Sequence, residues 1–215
     1  MTWIYFDIET SPPDGTSPDW ERVKAPSNYK DPAKIRQYQV EHAFPKWAEM
    51  ALSVPLAKVT CLSACTDDSD VFHAANGNES RTMEQFAEWC APHLHQHEPV
   101  VWCAFYGLKF DMPIVATRLL KYGLPQHDMA LLDVAQRVMP RNRYGDQTHR
   151  DPLVALGGDG SQSHWAKCFG IPCTFADFER DDFHRQPFAR IQQKNQEDVV
   201  VLRKLAQILR DGGML

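Results

Sequence analysis

The chain has 215 residues, of which 43% are hydrophobic and 24% charged, and its formal net charge is −5. This length and composition fit one soluble globular domain, and the negative charge argues against broad electrostatic capture of duplex nucleic acid. Because no apolar run reaches about 18 residues and the acidic N-terminus does not resemble a signal peptide, we expect a cytoplasmic protein without a membrane partner.

The first part of the chain predicts a strand, an insertion and a hairpin. Residues 3–9 (WIYFDIE) are apolar and rich in β-formers, which indicates a strand. The segment from about 12 to 55 is rich in proline and mixed in charge, and it contains a predicted helix over 32–50. Residues 57–65 and 70–75 are apolar segments separated by a short polar turn, which predicts a hairpin.

The middle of the chain predicts two helices around a strand. The first helix opens near residue 81 with Thr82 as its N-cap. The apolar run VVWCAF predicts a strand at 100–105. The second helix is expected over 112–122 and ends at Gly123, a residue typical of a helix C-terminus.

The last part of the chain predicts mainly loops and helices. MALLDV at 129–134 fits either a short strand or the first part of a helix, and we expect a strand that ends at Asp133. Residues 139–162 are rich in Arg, Asp, Gly and Pro, which is typical of a long loop. A short helix is predicted at 163–170 and a final one over about 187–210.

This order of elements predicts an α/β fold. We expect a mixed five-stranded sheet, antiparallel in its N-terminal part and parallel in the remainder, with helices flanking it. We interpret residues 1–215 as a single domain. The segment at 12–55 is then an insertion that follows directly after the first strand.

Two acids lie on the first predicted strand. Asp7 and Glu9 are two residues apart, so their side chains point to the same face. Two neighbouring carboxylates in an apolar strand repel each other, and a divalent cation would resolve that conflict, since Mg²⁺ prefers hard carboxylate oxygens. The alternative is an edge strand with one face in water, where such a pair costs little.

Two further acids lie near apolar segments, Asp111 after one and Asp198 before one. Asp111 comes after the strand at 100–105 and opens a helix, where an acid is also favoured simply by the helix macrodipole. Asp198 lies in the last helix and is followed by the apolar run VVVL. We expect Asp198 to border the buried face of that helix, while Glu197 points outward.

Three motifs together carry a family resemblance. They are FDIET at 6–10, FDMP at 110–113 and EDVVVLRKL at 197–205. In combination they resemble the DEDD superfamily of 3′→5′ exonucleases, and most closely those similar to the proofreading domain of family B DNA polymerases, including stand-alone phage and bacterial forms.

The resemblance implies a ribonuclease H-like fold and a metal-dependent 3′→5′ exonuclease. Asp7, Glu9, Asp111 and Asp198 match the four acids that hold two Mg²⁺ ions in that superfamily, and Mn²⁺ is an expected substitute. The substrate would be the 3′ end of single-stranded DNA, with RNA not distinguished because no motif reports contacts to the 2′-hydroxyl. A bacterial protein, or a phage protein in a bacterial host, is the implied source. Thr10 matches the position that contacts the terminal nucleotide.

The chain departs from the family in its last motif. The usual Tyr four residues before the final acid, or His five residues before it, is replaced by Lys194 or Gln193. Gln193 can hydrogen-bond a water but cannot take its proton. A neutral Lys194 could act as a general base, and a charged one could orient the attacking water or screen the phosphate. The alternative is an ordinary surface pair between Lys194 and Asp198, one helical turn apart.

A second departure concerns the substrate side. Tyr106 stands where related exonucleases often have Asn, and its ring could stack on a nucleobase or pack in the core. Phe110 could act as a wedge between bases or be a core residue, and we expect the core position. These departures also support a rival function: a catalytically weak or inactive ribonuclease H-like module that binds nucleic acid. Protein partners and oligomeric state are left open by the sequence.

Overall fold

A computed structural model describes residues 1–94, 99–141, 148–175 and 186–215. The chain divides into two compact units, one formed by Met1–Glu9 with Val59–Leu215 and the other by Thr10–Lys58. The strands are β1 (Thr2–Ser11), β2 (Lys58–Cys65), β3 (Phe72–Ala74), β4 (Val100–Cys103) and β5 (His149–Arg150). The helices are α1 (Pro32–Ala48), α2 (Glu79–Leu94), α3 (Asp111–Gln126), α4 (Met129–Val138), α5 (Pro152–Ala155), α6 (Gln162–Cys168) and α7 (Phe188–Asp211). Within the described ranges, no helix is long and apolar enough to cross a membrane.

The five strands form one mixed sheet in the order β3-β2-β1-β4-β5. Strands β2 and β3 are antiparallel, whereas β1, β4 and β5 run parallel to one another. The predicted α/β fold with a mixed five-stranded sheet and flanking helices is therefore confirmed. Parallel strands also place their carboxyl ends at one edge of a sheet, which is where open α/β sheets bind ligands.

Helix α7 covers one face of the sheet. Trp3 and Tyr5 of β1 pack in one buried cluster with Val199 and Leu202 of α7. Because side chains of a strand alternate between its faces, Asp7 and Glu9 continue the same row as Trp3 and Tyr5. On the face of β1 that lies under α7, the residues are therefore apolar in the first part of the strand and acidic toward its carboxyl end.

The opposite face of the sheet packs against α2. Phe6 of β1 contacts Phe86 of α2 and Trp102 of β4, with ring centroids 6.0 and 6.2 Å apart respectively. All three side chains are nearly inaccessible to solvent. Burial on both faces explains why β1 is an almost continuous apolar run rather than an alternating one.

The unit formed by Thr10–Lys58 contains α1 and two short 3₁₀ helices. Asp31 caps α1 through a bond from the Ala33 N–H, and Pro32 follows as the first helical residue. Gln39 of α1 donates to the carbonyl of Val23 at 2.9 Å. The predicted helix of this segment is confirmed, with its last turn tightened into a 3₁₀ helix at Glu49–Leu52.

The prediction of a strand at 129–134 is wrong. These residues begin α4, in which Leu131, Val134, Ala135 and Val138 are buried at helical spacing. Asp128 caps the helix by accepting from the N–H of Ala130 and of Leu131. The prediction of a strand failed because a six-residue apolar run is too short to separate the period of a strand from that of a helix.

The fifth strand lies instead in the segment predicted as a loop at 139–162. Strand β5 is two residues long and pairs with β4 through Trp102↔His149 and Cys103↔Arg150. A strand this short carries no pattern of its own, and its neighbours in the sheet define it. Residues 142–147 of the predicted loop lie outside the described residues.

Two predicted helix ends are also wrong. Helix α2 begins at Glu79, where the side chain of Asn78 accepts from the Arg81 N–H, and Thr82 is buried inside the helix. Helix α3 continues through Gly123 and ends with His127 in the left-handed conformation. A side chain at Gly123 would place its Cβ 2.9 Å from the Cβ of Leu131, so this glycine permits the close approach of α3 and α4.

Candidate metal centre

Three carboxylates meet where β1 passes under the first half of α7. Asp7, Glu9 and Asp198 each offer one oxygen, and these oxygens lie within 4.8 Å of one another. The side chains of Glu9 and Asp198 are 12% and 16% exposed, so these two acids are largely buried but still accessible to solvent. This is the only group of three or more potential metal ligands among the described residues.

Lys194 lies between two of these acids. Its Nζ donates to Glu9 Oε1 at 2.7 Å and to Asp198 Oδ2 at 2.5 Å. Lys194 and Asp198 are four residues apart on α7, so they share a helix face. The pair is therefore not an ordinary surface pair, because the ammonium also bridges to the strand on which Asp7 and Glu9 lie.

The carboxylates hold protons more tightly than isolated acids do. Burial, followed by repulsion from Asp198, Glu9 and Asp111, raises the pKa of Asp7 well above its usual range. Burial likewise raises the pKa of Glu9 and of Asp198, although the ammonium of Lys194 opposes both shifts. Such perturbed neighbours are typical of functional sites, because they are costly to maintain in a site without a ligand.

Asp111 lies beside this cluster rather than within it. It opens α3, is 4% exposed, and its Oδ1 accepts from the Ile8 N–H of β1 at 3.4 Å. Burial raises its pKa to about 8, the Ile8 bond opposes the shift, and Glu9 contributes to it. The structure thus brings all four predicted acids to the same end of β1, with three forming a ligand set and the fourth held against the strand backbone.

Lys194 is charged in this arrangement. Burial by itself would lower its pKa, but the carboxylates of Glu9, Asp198 and Asp7 outweigh burial and raise the pKa above its ordinary value. A protonated amine cannot accept a proton, so the geometry favours the orienting or screening role over the general-base role. Gln193, the other residue at the departing motif, is exposed.

The donor set fits a hard divalent cation. It consists of carboxylate oxygens alone, the ligands that Mg²⁺ and Mn²⁺ prefer, and it contains no thiolate or imidazole that would select zinc. The single ammonium of Lys194 can balance only one of the four acids. Burial, with repulsion between the acids added to it, raises the pKa of Asp7 and of Asp111.

The loop between β4 and α3 holds Tyr106 in an unusual conformation. Its φ is 58°, in the left-handed region that bulky residues rarely adopt. The buried carboxylate of Asp151 accepts from the N–H of Tyr106 at 2.9 Å and from that of Leu108 at 3.4 Å. Gly107 is required as well, because an added Cβ would lie 2.2 Å from the Cβ of Ala104. The loop is thus held in a strained shape, as is typical of functional segments.

The strained loop exposes an aromatic ring. Tyr106 is 48% exposed and lies outside the core, and the ammonium of Lys109 is 5.6 Å from its ring centroid. Phe110, which precedes Asp111, is partly buried. A solvent-facing ring beside a cation is suited to a nucleobase and its phosphate.

The hydroxyl of Thr10 is used in a hydrogen bond within the unit Thr10–Lys58. Its hydroxyl donates to the carbonyl of Ala51 at 2.6 Å, and the residue is 7% exposed. Since a hydroxyl carries one proton, Thr10 can offer a substrate only an acceptor or its backbone groups.

Two residues of the site were not anticipated from the sequence. Asn195 donates to Asp7 Oδ2 at 2.7 Å, and it lies three residues before Asp198 on the same helix face. That spacing could have indicated that Asn195 lies near the acids of the site. Asp151, which holds the Tyr106 loop, gave no such signal, because its partners are backbone groups about 45 residues away.

A solved structure of the family B DNA polymerase from the hyperthermophilic archaeon Pyrobaculum calidifontis is similar to this chain, with a TM-score of 0.52 and 16% sequence identity. The similarity covers 97% of this chain and 24% of the polymerase, so the chain spans about a quarter of that protein's length. At this identity the likeness shows the fold alone, and that fold agrees with the one implied by the sequence motifs. No family model and no curated protein matches the chain.

Proposed function

We propose that this protein is a metal-dependent 3′→5′ exonuclease that hydrolyses phosphodiester bonds at single-stranded 3′ ends. The observation that carries the proposal is the convergence of Asp7, Glu9 and Asp198 within 4.8 Å, with Asp111 beside them. The fold shared with a family B DNA polymerase supports a nucleic-acid enzyme, and the three sequence motifs support the exonuclease class.

The four acids would hold two Mg²⁺ ions, with Mn²⁺ as a substitute. Bound there, the ions would supply positive charge at the scissile phosphate, a more acidic water and stabilisation of the leaving oxygen. The protein supplies fixed ligands, and the strand and helix that carry them are rigid elements of the sheet and its cover.

Lys194 would act as an orienting and screening cation in the proposed reaction. Its ammonium already touches Glu9 and Asp198, so it lies beside the reacting phosphate if the acids hold the metal. A fixed positive charge there stabilises the negative charge that develops in the transition state.

Tyr106 would stack on a base of the single strand, with Lys109 close to the backbone phosphates. Stacking serves any base, and a local cation is compatible with a net negative chain. Phe110, which is partly buried, would add a further substrate contact.

One observation favours a second candidate, a catalytically weak or inactive module that binds nucleic acid. Lys194 neutralises part of the cluster without any metal, as would be expected of a site that has replaced an ion by an ammonium. Against it stands the excess of acids, because an inert site gains nothing from keeping Asp7 and Asp111 buried at raised pKa.

The two candidates are separated by a cleavage assay. Single-stranded DNA and RNA labelled at the 5′ end are incubated with the protein in Mg²⁺, Mn²⁺ or EDTA. We expect a ladder that shortens from the 3′ end, disappears in EDTA, and is blocked by a phosphorothioate at the 3′-terminal linkage.

The matched variants are Asp7→Ala and Asp133→Asn, purified identically. Asp133 is an acid on α4 whose side chain is 44% exposed and pairs with Arg137, so its loss removes a carboxylate that is not one of the proposed ligands. Asp7→Ala should abolish the ladder and Asp133→Asn should retain it. Absence of degradation of every substrate in Mn²⁺, or equal activity of both variants, would overturn the exonuclease proposal.

A further inference from the structure

A fully buried asparagine of α7 contacts the acidic cluster. Asn195 is 0% exposed, and its Nδ2 donates to Asp7 Oδ2 at 2.7 Å. Its Oδ1 is buried too and has no hydrogen-bond partner in the part of the chain that the structure describes. One end of this amide is therefore used, and the other end is left with an unmet acceptor.

This arrangement is unfavourable for folding alone. A buried acceptor without a partner costs about 1–3 kcal/mol, whereas an apolar side chain of similar shape would avoid that cost. Buried polar atoms are almost always paired in native proteins, so an exception calls for an explanation. The neighbours of Asn195 along the helix suggest one, since Lys194 precedes it and Asp198 follows one turn later.

The bond to Asp7 has a direct consequence for a ligand. It occupies one carboxylate oxygen and fixes the orientation of the group, which leaves the other oxygen for ligation. Hydrogen bonds of this kind to metal-binding carboxylates typically change metal affinity by 10–100-fold when removed. The unmet Oδ1 is inaccessible to bulk solvent, so its partner would be an O–H or N–H group that enters the site with the ligand.

We infer that Asn195 is a positioning residue of the metal centre, which orients Asp7 for the cation and reserves its Oδ1 for a donor that the ligand brings. The inference rests on the proposed function, because it concerns the same site. Asn195 acts through Asp7 and does not itself carry the chemistry.

The test compares Asn195→Leu with Gln196→Leu, an exposed neighbour on the same helix. Leucine has the same number and branching of side-chain heavy atoms as asparagine and removes both ends of the amide. Binding of Mn²⁺ is measured by electron paramagnetic resonance, unfolding is measured in EDTA, and turnover is titrated with Mg²⁺. Asn195→Ala provides a second, smaller side chain should leucine disturb the packing.

We expect Asn195→Leu to weaken Mn²⁺ binding by 10–100-fold, to raise the apparent KM for Mg²⁺ by a similar factor, and to leave stability in EDTA unchanged or higher. Turnover at saturating Mg²⁺ should change far less, and Gln196→Leu should match the wild type. If Asn195 were only structural, Asn195→Leu and Asn195→Ala would both be less stable in EDTA, and both would bind Mn²⁺ with unchanged affinity.

The outcomes keep the two proposals apart. Wild-type cleavage together with unchanged Mn²⁺ affinity in the Asn195 variants overturns the positioning role and leaves the exonuclease standing. Weakened Mn²⁺ binding in the variants without cleavage by the wild type supports the positioning role and overturns the exonuclease. Absence of Mn²⁺ binding to the wild type overturns the positioning role, since there is then no ion for Asp7 to face.

Discussion

Replacing Asp7 by asparagine should stabilise the metal-free protein while destroying its activity. The change keeps the side-chain shape and an oxygen that can accept from Asn195, but it removes the charge. At 4.8 Å and an effective dielectric constant of about 20, two like charges repel by about 3.5 kcal/mol. Asp7 has two such neighbours, Glu9 and Asp198, and Lys194 offsets about one of them.

The net gain is therefore about 3.5 kcal/mol in unfolding free energy at pH 7.5, or roughly 7–14 °C in Tm for a chain of this size. The gain should shrink as the pH falls from the raised folded pKa of Asp7 toward about 3.9, because the native state then takes up a proton at Asp7 and loses the repulsion. Addition of Mg²⁺ at a hundred times its Kd should stabilise the wild type by about 2.7 kcal/mol and the variant much less.

The assay is urea unfolding in EDTA and in Mg²⁺, followed by the cleavage ladder, with Asp133→Asn as the control. A variant at Asp7 that is less stable than the wild type in EDTA, while the control is unchanged, would refute the reasoning. It would mean that mutual repulsion does not dominate the cluster. Equal stabilisation of wild type and variant by Mg²⁺ would refute the assignment of Asp7 as a ligand.

Three further predictions concern single residues. Lys194→Ala should lower turnover by about 10²-fold at saturating Mg²⁺, because it removes the fixed positive charge proposed to lie beside the phosphate. Full turnover, or the same loss in Lys204→Ala, would exclude the proposed role. In EDTA, Asp111 should make the protein less stable as pH rises from about 4 to 8, by up to about 1.4 kcal/mol per pH unit. The reason is that its folded pKa of about 8 lets the native state keep a proton that the unfolded chain releases. Urea unfolding at pH 5.5 and 7.5 measures this dependence, and the same dependence in Asp111→Asn would contradict it. Glu79→Ala should lower the free energy of unfolding by about 3–5 kcal/mol, since it removes the carboxylate that pairs with the buried guanidinium of Arg118 at 3.1 Å. A loss below 1 kcal/mol, measured by urea unfolding, would show that this ion pair does not stabilise the fold.

The position of Lys194 between two proposed ligands raises the question of how it affects metal binding. An ammonium bridging Glu9 and Asp198 could share the site with metal or compete with it. The two cases differ in measurement: competition predicts tighter Mg²⁺ binding by Lys194→Ala, whereas sharing predicts that binding is unchanged and only turnover falls. In both cases the charge on Lys194 distinguishes this site from one that uses a tyrosine or histidine.

Local patterns in the sequence determined the strands and helices that have a clear period or a clear turn. The hairpin of β2 and β3, the helix of the 12–55 segment and the long α7 all follow from such patterns. The pairing of Asp7 with Glu9 on one face also follows, because side chains alternate along a strand whatever lies above it. Short or ambiguous segments failed, as at 129–134.

Tertiary structure alone decided which side chains meet. Strand β5 exists because β4 pairs with two residues that have no strand pattern of their own. Asp151 reaches the Tyr106 loop across about 45 residues, and Asn195 reaches Asp7 across 188. The charge of Lys194 is a tertiary property as well, since the carboxylates that raise its pKa are brought to it by both β1 and α7. Sequence fixes what each residue can donate or accept, whereas proximity in the fold determines which partner it finds and at what electrostatic cost.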